Sequence, residues 1–166
     1  MTENISLRPW EISDLDSLLL YANNPNIAKN MTNGFPHPYT KEAGSNFIAM
    51  AKTKKPLSIF AICINNEAIG GIGVHPQQDI HEKCAELGYW LAEIFWGKGI
   101  TSIAVLKMID FAFQNFDIVR LYVQDLFLRI LDHKKCSKNV VSPLKQHSKK
   151  VFIKMEFIWM NLFTVS

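Results

Sequence analysis

The stretch Glu93-Ile94-Phe95-Trp96-Gly97-Lys98-Gly99-Ile100-Thr101 lies between a strand-like segment and a strongly periodic helix, and the fold turns on how it is read. Two glycines one residue apart at a strand-to-helix junction let the backbone turn tightly and aim several N–H groups at one point. The helix that follows adds its positive dipole end, so the turn has the makings of a phosphate cradle. The glycines taken alone also suit a plain tight turn.

Working outward, Lys83 to Ala92 reads as the strand entering this turn. Ile103, Leu106, Ile109 and Phe113 recur at helical spacing after it, with Lys107, Asp110 and Gln114 on another face, so the helix is expected to lie along a sheet. Ile118 to Val123 returns as a strand and completes a strand-helix-strand unit. Upstream, Leu57 to Ile64 and Ala68 to Val74 form an antiparallel hairpin around an Asn65-Asn66 turn. Ile5 to Arg8 is a first strand ended by Pro9, and Ser13-x-x-Asp16 offers a near capping box for a helix from Asp14 to about Asn23. Thr40 caps a further helix that carries Phe47, Ile48 and Met50.

Composition bounds the function. The 166 residues are 48% hydrophobic and 20% charged, enough for one sizeable core, so one domain is expected. A formal net charge of +3 points neither to bulk nucleic-acid binding nor to an acidic partner. Cys63, Cys84 and Cys136 are widely spaced with no C-x-x-C pair, which fits a reducing compartment. Polar residues follow Met1 and no apolar run approaches membrane-spanning length, so a cytoplasmic protein away from the membrane is expected. The five histidines show no ligand spacing, and no metal site is expected.

The chain resembles the GNAT acyltransferases, in particular the branch of ribosomal-protein N-terminal acetyltransferases. The resemblance runs from Leu7-Arg8-Pro9 through Ser13-Asp14-Leu15, Ala85-Glu86-Leu87-Gly88-Tyr89-Trp90-Leu91, Trp96-Gly97-Lys98-Gly99-Ile100 and Arg120-Leu121-Tyr122. It covers about the first three-quarters of the chain, and it implies an α/β (α+β) fold with a mixed, mostly antiparallel central sheet flanked by helices. Where the family's phosphate loop begins with Gln or Arg, this chain has Ile94, so the cradle must rest on backbone.

The resemblance implies a transfer of an acetyl group from acetyl-CoA to a primary amine by direct attack. Acetyl-CoA would lie where the Lys83 to Ala92 strand parts from the Ile118 to Val123 strand. Its amides would pair with backbone near Leu91 and Ala92, and its diphosphate would sit on N–H groups from Gly97, Lys98, Gly99, Ile100 and Thr101. Glu86 is the candidate general base, directly or through water, against the plainer reading of a solvent-facing strand residue. A strand N–H near Leu91 is the candidate oxyanion donor. Phe35 and Tyr39 in the Asn33 to Tyr39 loop are candidate walls of the acceptor site, or pack that loop onto the core. Lys98 reads as solvated or as a loose phosphate contact, and Tyr89, Trp90 and Trp96 read as packing residues. The acceptor could be a protein N terminus or a small-molecule amine; oligomeric state is left open.

After Val123 the resemblance stops. The family pattern continues roughly S-Q-K-V-L-E-K-C-G-F, whereas this chain reads Asp132-His133-Lys134-Lys135-Cys136-Ser137-Lys138-Asn139-Val140-Val141-Ser142. Taken as codons shifted by two bases, the second string permits the first. The same shift forces Gly from Met155-Glu156, Asp from Trp159-Met160 and Glu from Met160-Asn161, the spacing of that branch's last hairpin. Residues 1–123 are thus expected to form an incomplete GNAT-like domain, and 124–166 an out-of-frame segment that weakens or removes activity. No acidic residue occurs from His133 to Lys154, and aromatics are missing from this lysine-rich tail until Phe152, which argues against a nucleic-acid module. A non-catalytic acyl-CoA binder is the alternative.

Overall fold

A computed structural model describes residues 4–123 and the strand 151–153. Its described residues form a six-stranded sheet in the order β1 (Ile5–Pro9), β2 (Ile59–Ile64), β3 (Glu67–Pro76), β4 (Cys84–Leu91), β5 (Arg120–Val123) and β6 (Val151–Ile153). β1 to β4 pair antiparallel, while β4–β5 and β5–β6 are parallel. The mixed, mostly antiparallel sheet matches the expectation. The β2–β3 turn is held by Asn65 (φ 49°) and Asn66 (φ 71°), residues that tolerate the left-handed region.

Helices α1 (Leu15–Ala22), α2 (Pro25–Ala28) and α3 (Lys41–Thr53) belong to one face, and α4 (Ile100–Asn115) to the other. Trp10, Leu18, Ile48, Ala61 and Trp90 fill the first core layer; Ile62, Ile72, Leu87, Met108, Ile109 and Leu121 fill the second. Thr40 caps α3 by accepting from Ala43 N at 3.2 Å, as its position ahead of the helix predicts.

Two details correct the sequence reading. The buried stripe of α4 is Ile100, Ala104, Val105, Met108, Ile109 and Ala112, whereas Ile103 is 42% exposed and Leu106 and Phe113 are only partly covered. Ile103 stands four, seven and eleven residues before Lys107, Asp110 and Gln114 and so shares their exposed face, and the alanines on the opposite face let the helix axis approach the sheet. Each large apolar side chain fully buried here contributes about 1.5–3 kcal/mol.

The reciprocal contact before α1 is made by Glu11 and Asp14, not by Ser13 and Asp16: Glu11 N donates to Asp14 Oδ2 at 2.8 Å. Asp14 is fixed there because Arg8 donates to both of its carboxylate oxygens at 2.7 Å. The same guanidinium donates to Asn66 Oδ1 at 2.9 Å and Asn66 O at 2.7 Å, tying β1, α1 and the β2–β3 turn together.

The proposed out-of-frame segment lies outside the described residues except for β6. No helix among the described residues is long and apolar enough to cross a membrane.

Candidate functional site

The site is built where β4 ends. Leu87 opposite Val123 is the last β4–β5 pair, and β4 runs on through Gly88 to Leu91 with β3 alone as its paired neighbour among the described residues. Ala92 N donates to Ile69 O at 2.9 Å. By the alternation of an antiparallel ladder, Trp90 also faces β3, and Leu91 turns its main-chain groups to the β5 side.

Leu91 O accepts the Trp96 indole N–H at 2.8 Å, which pins the turn that follows. Within that turn Phe95 N donates to Ala92 O and Trp96 N to Glu93 O, both at 3.0 Å. Gly97 (φ 74°) and Gly99 (φ 75°) then take left-handed conformations, and Gly99 is the N-cap of α4. A Cβ at either position would meet nothing within 4 Å, so the backbone angle alone requires glycine, and the space above the turn is open. No acidic side chain occupies the first turn of α4. Lys98 Nζ lies over the Phe95 ring, 5.2 Å from its centroid, and Ile94 is 66% exposed.

Two cavities meet at this strand end. One, of about 610 Å³, runs from Gly97 and Thr101 past Leu91 and Trp96 to Asn26 and Lys29 of the α2 region. The other, of about 760 Å³, contains Glu86 and His75 and is walled by the loop carrying Phe35 and Tyr39. Tyr89 and Trp90 are the walls common to both. Along β4, Glu86, Gly88 and Trp90 share one face, while Leu87, Tyr89 and Leu91 share the face that packs on α4.

His75 and Glu86 are cross-strand partners in the β3–β4 register. Although His75 as a residue is exposed, desolvation of its ring holds its pKa below the ordinary histidine value; Glu86 opposes that shift and Lys54 adds to it. Burial pushes the Tyr39 phenol up to about 12, so it stays protonated. Aromatic contacts fix the wall: Phe35 lies 5.2 Å from Tyr39 and 6.1 Å from Trp90 between ring centroids, and Trp90 stacks on Trp10 at 6.5 Å. Gly71 makes room for this, since a Cβ there would stand 2.6 Å from Trp90 Nε1.

Of the residues expected around the coenzyme, Leu91, Gly97 and Thr101 line the smaller cavity. Lys98, Gly99 and Ile100 belong to the same turn without being among its walls, and the Ala92 N–H is spent on Ile69. Glu86, Phe35 and Tyr39 come together in the larger cavity. Sequence reasoning passed over His75, whose signal was the hairpin register that sets it across from Glu86, and it assigned Tyr89 and Trp90 to packing alone. No group of three or more His, Cys, Asp or Glu among the described residues could hold a metal ion.

Comparison with known proteins gives concordant matches. The family described as acetyltransferase (GNAT) domain matches residues 4–126. A protein from Bacillus licheniformis named "Uncharacterized N-acetyltransferase p20" is 32% identical over 124 residues, 72% of this chain and 68% of its own. The microcin C7 self-immunity acetyltransferase MccE, solved with acetyl-CoA and AMP, superposes with a TM-score of 0.58 at 25% identity, covering 73% of this chain and 68% of that one. RimL, a ribosomal alpha-N-protein acetyltransferase solved with coenzyme A, gives 0.58 at 21% identity over 73% of this chain and 70% of its own, a likeness of fold.

Proposed function

This chain belongs to the GNAT acetyltransferase family, and on that premise we propose that it transfers an acetyl group from acetyl-CoA to a primary amine by direct attack. The observation that carries the proposal is the pair of cavities sharing Tyr89 and Trp90, one starting at the glycine turn and the other holding Glu86. A thioester reaching along the first would meet an amine held in the second.

The residues suit the coenzyme. The open space over Gly97 and Gly99, the α4 N-terminus and the absence of a carboxylate in its first turn favour a diphosphate on main-chain N–H groups. Leu91, whose main-chain groups turn away from β3, offers its N–H to the pantetheine or to the thioester oxygen as negative charge develops there. Glu86 takes the proton of the incoming ammonium, directly or through water, and neutral His75 across from it can pass that proton on. The free amine attacks the carbonyl carbon, the C–N bond forms, the C–S bond breaks, and the departing thiolate takes up the second proton, which the acylated nitrogen sheds. Protein N termini and small amines both remain within the acceptor class.

Assay of the full chain with acetyl-CoA and a panel of amines tests this, with Glu86→Gln beside it. Product formation that falls by about a hundredfold or more in the variant, with coenzyme affinity kept, is the expected result. Equal rates in the two proteins remove Glu86 from the chemistry.

The altered sequence after Val123 favours one other outcome, a chain that keeps the turn and binds acyl-CoA with weak or no turnover. Thermal stabilisation by acetyl-CoA without product would identify it. Sequencing the encoding DNA decides its origin: codons incompatible with the shifted frame dismiss a frameshift.

A further inference from the structure

We infer that Glu93, clamped by Asn24 and Asn26, is a positioning residue for the coenzyme: it ties the glycine turn to the junction of α1 and α2 and so pre-forms the cavity that receives acetyl-CoA. This rests on the acetyl-transfer reading above, in which the smaller cavity takes the coenzyme.

The clamp joins groups that are far apart in the chain. Asn24 Nδ2 donates to Glu93 Oε2 at 2.7 Å, and Asn26 Nδ2 donates to Oε2 at 3.1 Å and to Oε1 at 3.2 Å. The oxygen of each amide is engaged as well. Asn24 Oδ1 accepts from Asn26 N at 2.8 Å, which caps α2, and Asn26 Oδ1 accepts from Lys29 Nζ at 2.8 Å. Neither amide can turn its oxygen toward Glu93 without giving up one of these bonds, so both are set as donors and the carboxylate as acceptor. The bonds from Asn24 and then Asn26 hold the Glu93 carboxyl below the usual glutamate range, with desolvation opposing and Lys29 assisting.

On its own side Glu93 belongs to the turn. Its carbonyl accepts from Trp96 N at 3.0 Å, and Trp96 donates its indole N–H to Leu91 O at 2.8 Å. Phe95 meets Tyr21 of α1 edge to face, with ring centroids 6.0 Å apart. The turn is therefore braced at Glu93 and at Phe95, just before Gly97. With only four residues α2 is too short to persist on its own propensity, so it takes its position from contacts such as these. Asn26, Lys29 and Asn30 on the α2 side and Glu93, Trp96 and Gly97 on the turn side are walls of one cavity. A ligand entering between them meets a gap whose width the clamp has already set, which lowers the ordering cost of binding.

Calorimetric titration of the full chain and its variants with acetyl-CoA tests this, with melting temperatures measured alongside. Asn24→Asp keeps an oxygen to cap α2 but has no N–H for Glu93. Glu93→Gln turns one of the two acceptors into a donor. In the double variant the new glutamine can donate to the new aspartate, which rebuilds the clamp with its polarity reversed. Each single variant is expected to bind acetyl-CoA at least about fivefold more weakly than the unaltered chain, and the double variant to recover most of that loss. Glu93→Gln is the sharper arm, since removing a negative charge beside a diphosphate would by itself tighten binding. Asn23→Ala cuts the bond from Tyr39 N to Asn23 Oδ1 at the same junction without touching Glu93, and is expected to leave the affinity unchanged. Single variants that bind as the unaltered chain does, a tighter Glu93→Gln, a double variant no better than the singles, or an equal loss in Asn23→Ala overturns the inference and leaves acetyl transfer standing. No saturable binding by the unaltered chain brings down both.

Discussion

Arg8 and Asp14 show how single residues in the family resemblance serve the fold. Burial pushes the Asp14 carboxyl up, but the paired Arg8 guanidinium and the Glu11 N–H outweigh it and hold Asp14 below the usual aspartate range. The unfolded chain therefore binds more protons than the folded one as the carboxyl titrates, so this contribution is present above the unfolded value and lost as pH falls through the folded one. Asp14→Asn should cost on the order of 3 kcal/mol near neutral pH, because Arg8 is left partly buried without its partner. It should also flatten the acid limb of stability below about pH 4. Denaturant unfolding across pH measures both, and an unchanged acid limb would remove Asp14 as its source.

His75 has the same sign for a different reason. Desolvation lowers its pKa, so the stability its neutral ring allows is present above the unfolded value and diminishes as pH falls through the folded one. In catalysis, His75→Phe should reshape the acid side of the kcat/KM profile while leaving coenzyme affinity intact, and an unaltered profile would confine His75 to a structural role.

At the level of elements, the turn from Leu91 to Ile100 decides whether a coenzyme is held. Trp96→Phe removes the indole donor to Leu91 O, which should cost about 1 kcal/mol of stability and loosen the turn. Weaker acetyl-CoA binding by calorimetry, with the melting temperature lowered by only a few degrees, is the expected outcome. Gly99→Ala imposes a left-handed angle on an L residue at about 1–2 kcal/mol, with no clash to confuse the result.

These elements were legible in the sequence because their signals are local: Asn65-Asn66 marks a turn, Thr40 a cap, and Gly97 and Gly99 a junction. The face of α4 was marked by Lys107, Asp110 and Gln114, although Ile103, at helical spacing from all three, was grouped with the apolar stripe. His75 escaped for a different reason. Its pairing with Glu86 exists only after the two strands have settled in register, and that register passes a bulge between Ile62 and Cys63 in the neighbouring pair.

Across the described residues, two cavities share Tyr89 and Trp90 as walls at the end of β4. The glycine turn, the last residues of β4 and the loop walling the Glu86 cavity belong to different elements, and the topology brings them to one place. The central claim is that main-chain amides around Gly97 and Gly99 grip the diphosphate of acetyl-CoA. Calorimetric titration of the full chain and of Gly99→Ala with acetyl-CoA tests it most directly. Saturable one-to-one binding, weakened at least about tenfold in a variant that still melts cooperatively, is the predicted result; no saturable binding, or an affinity indifferent to the substitution, would contradict it.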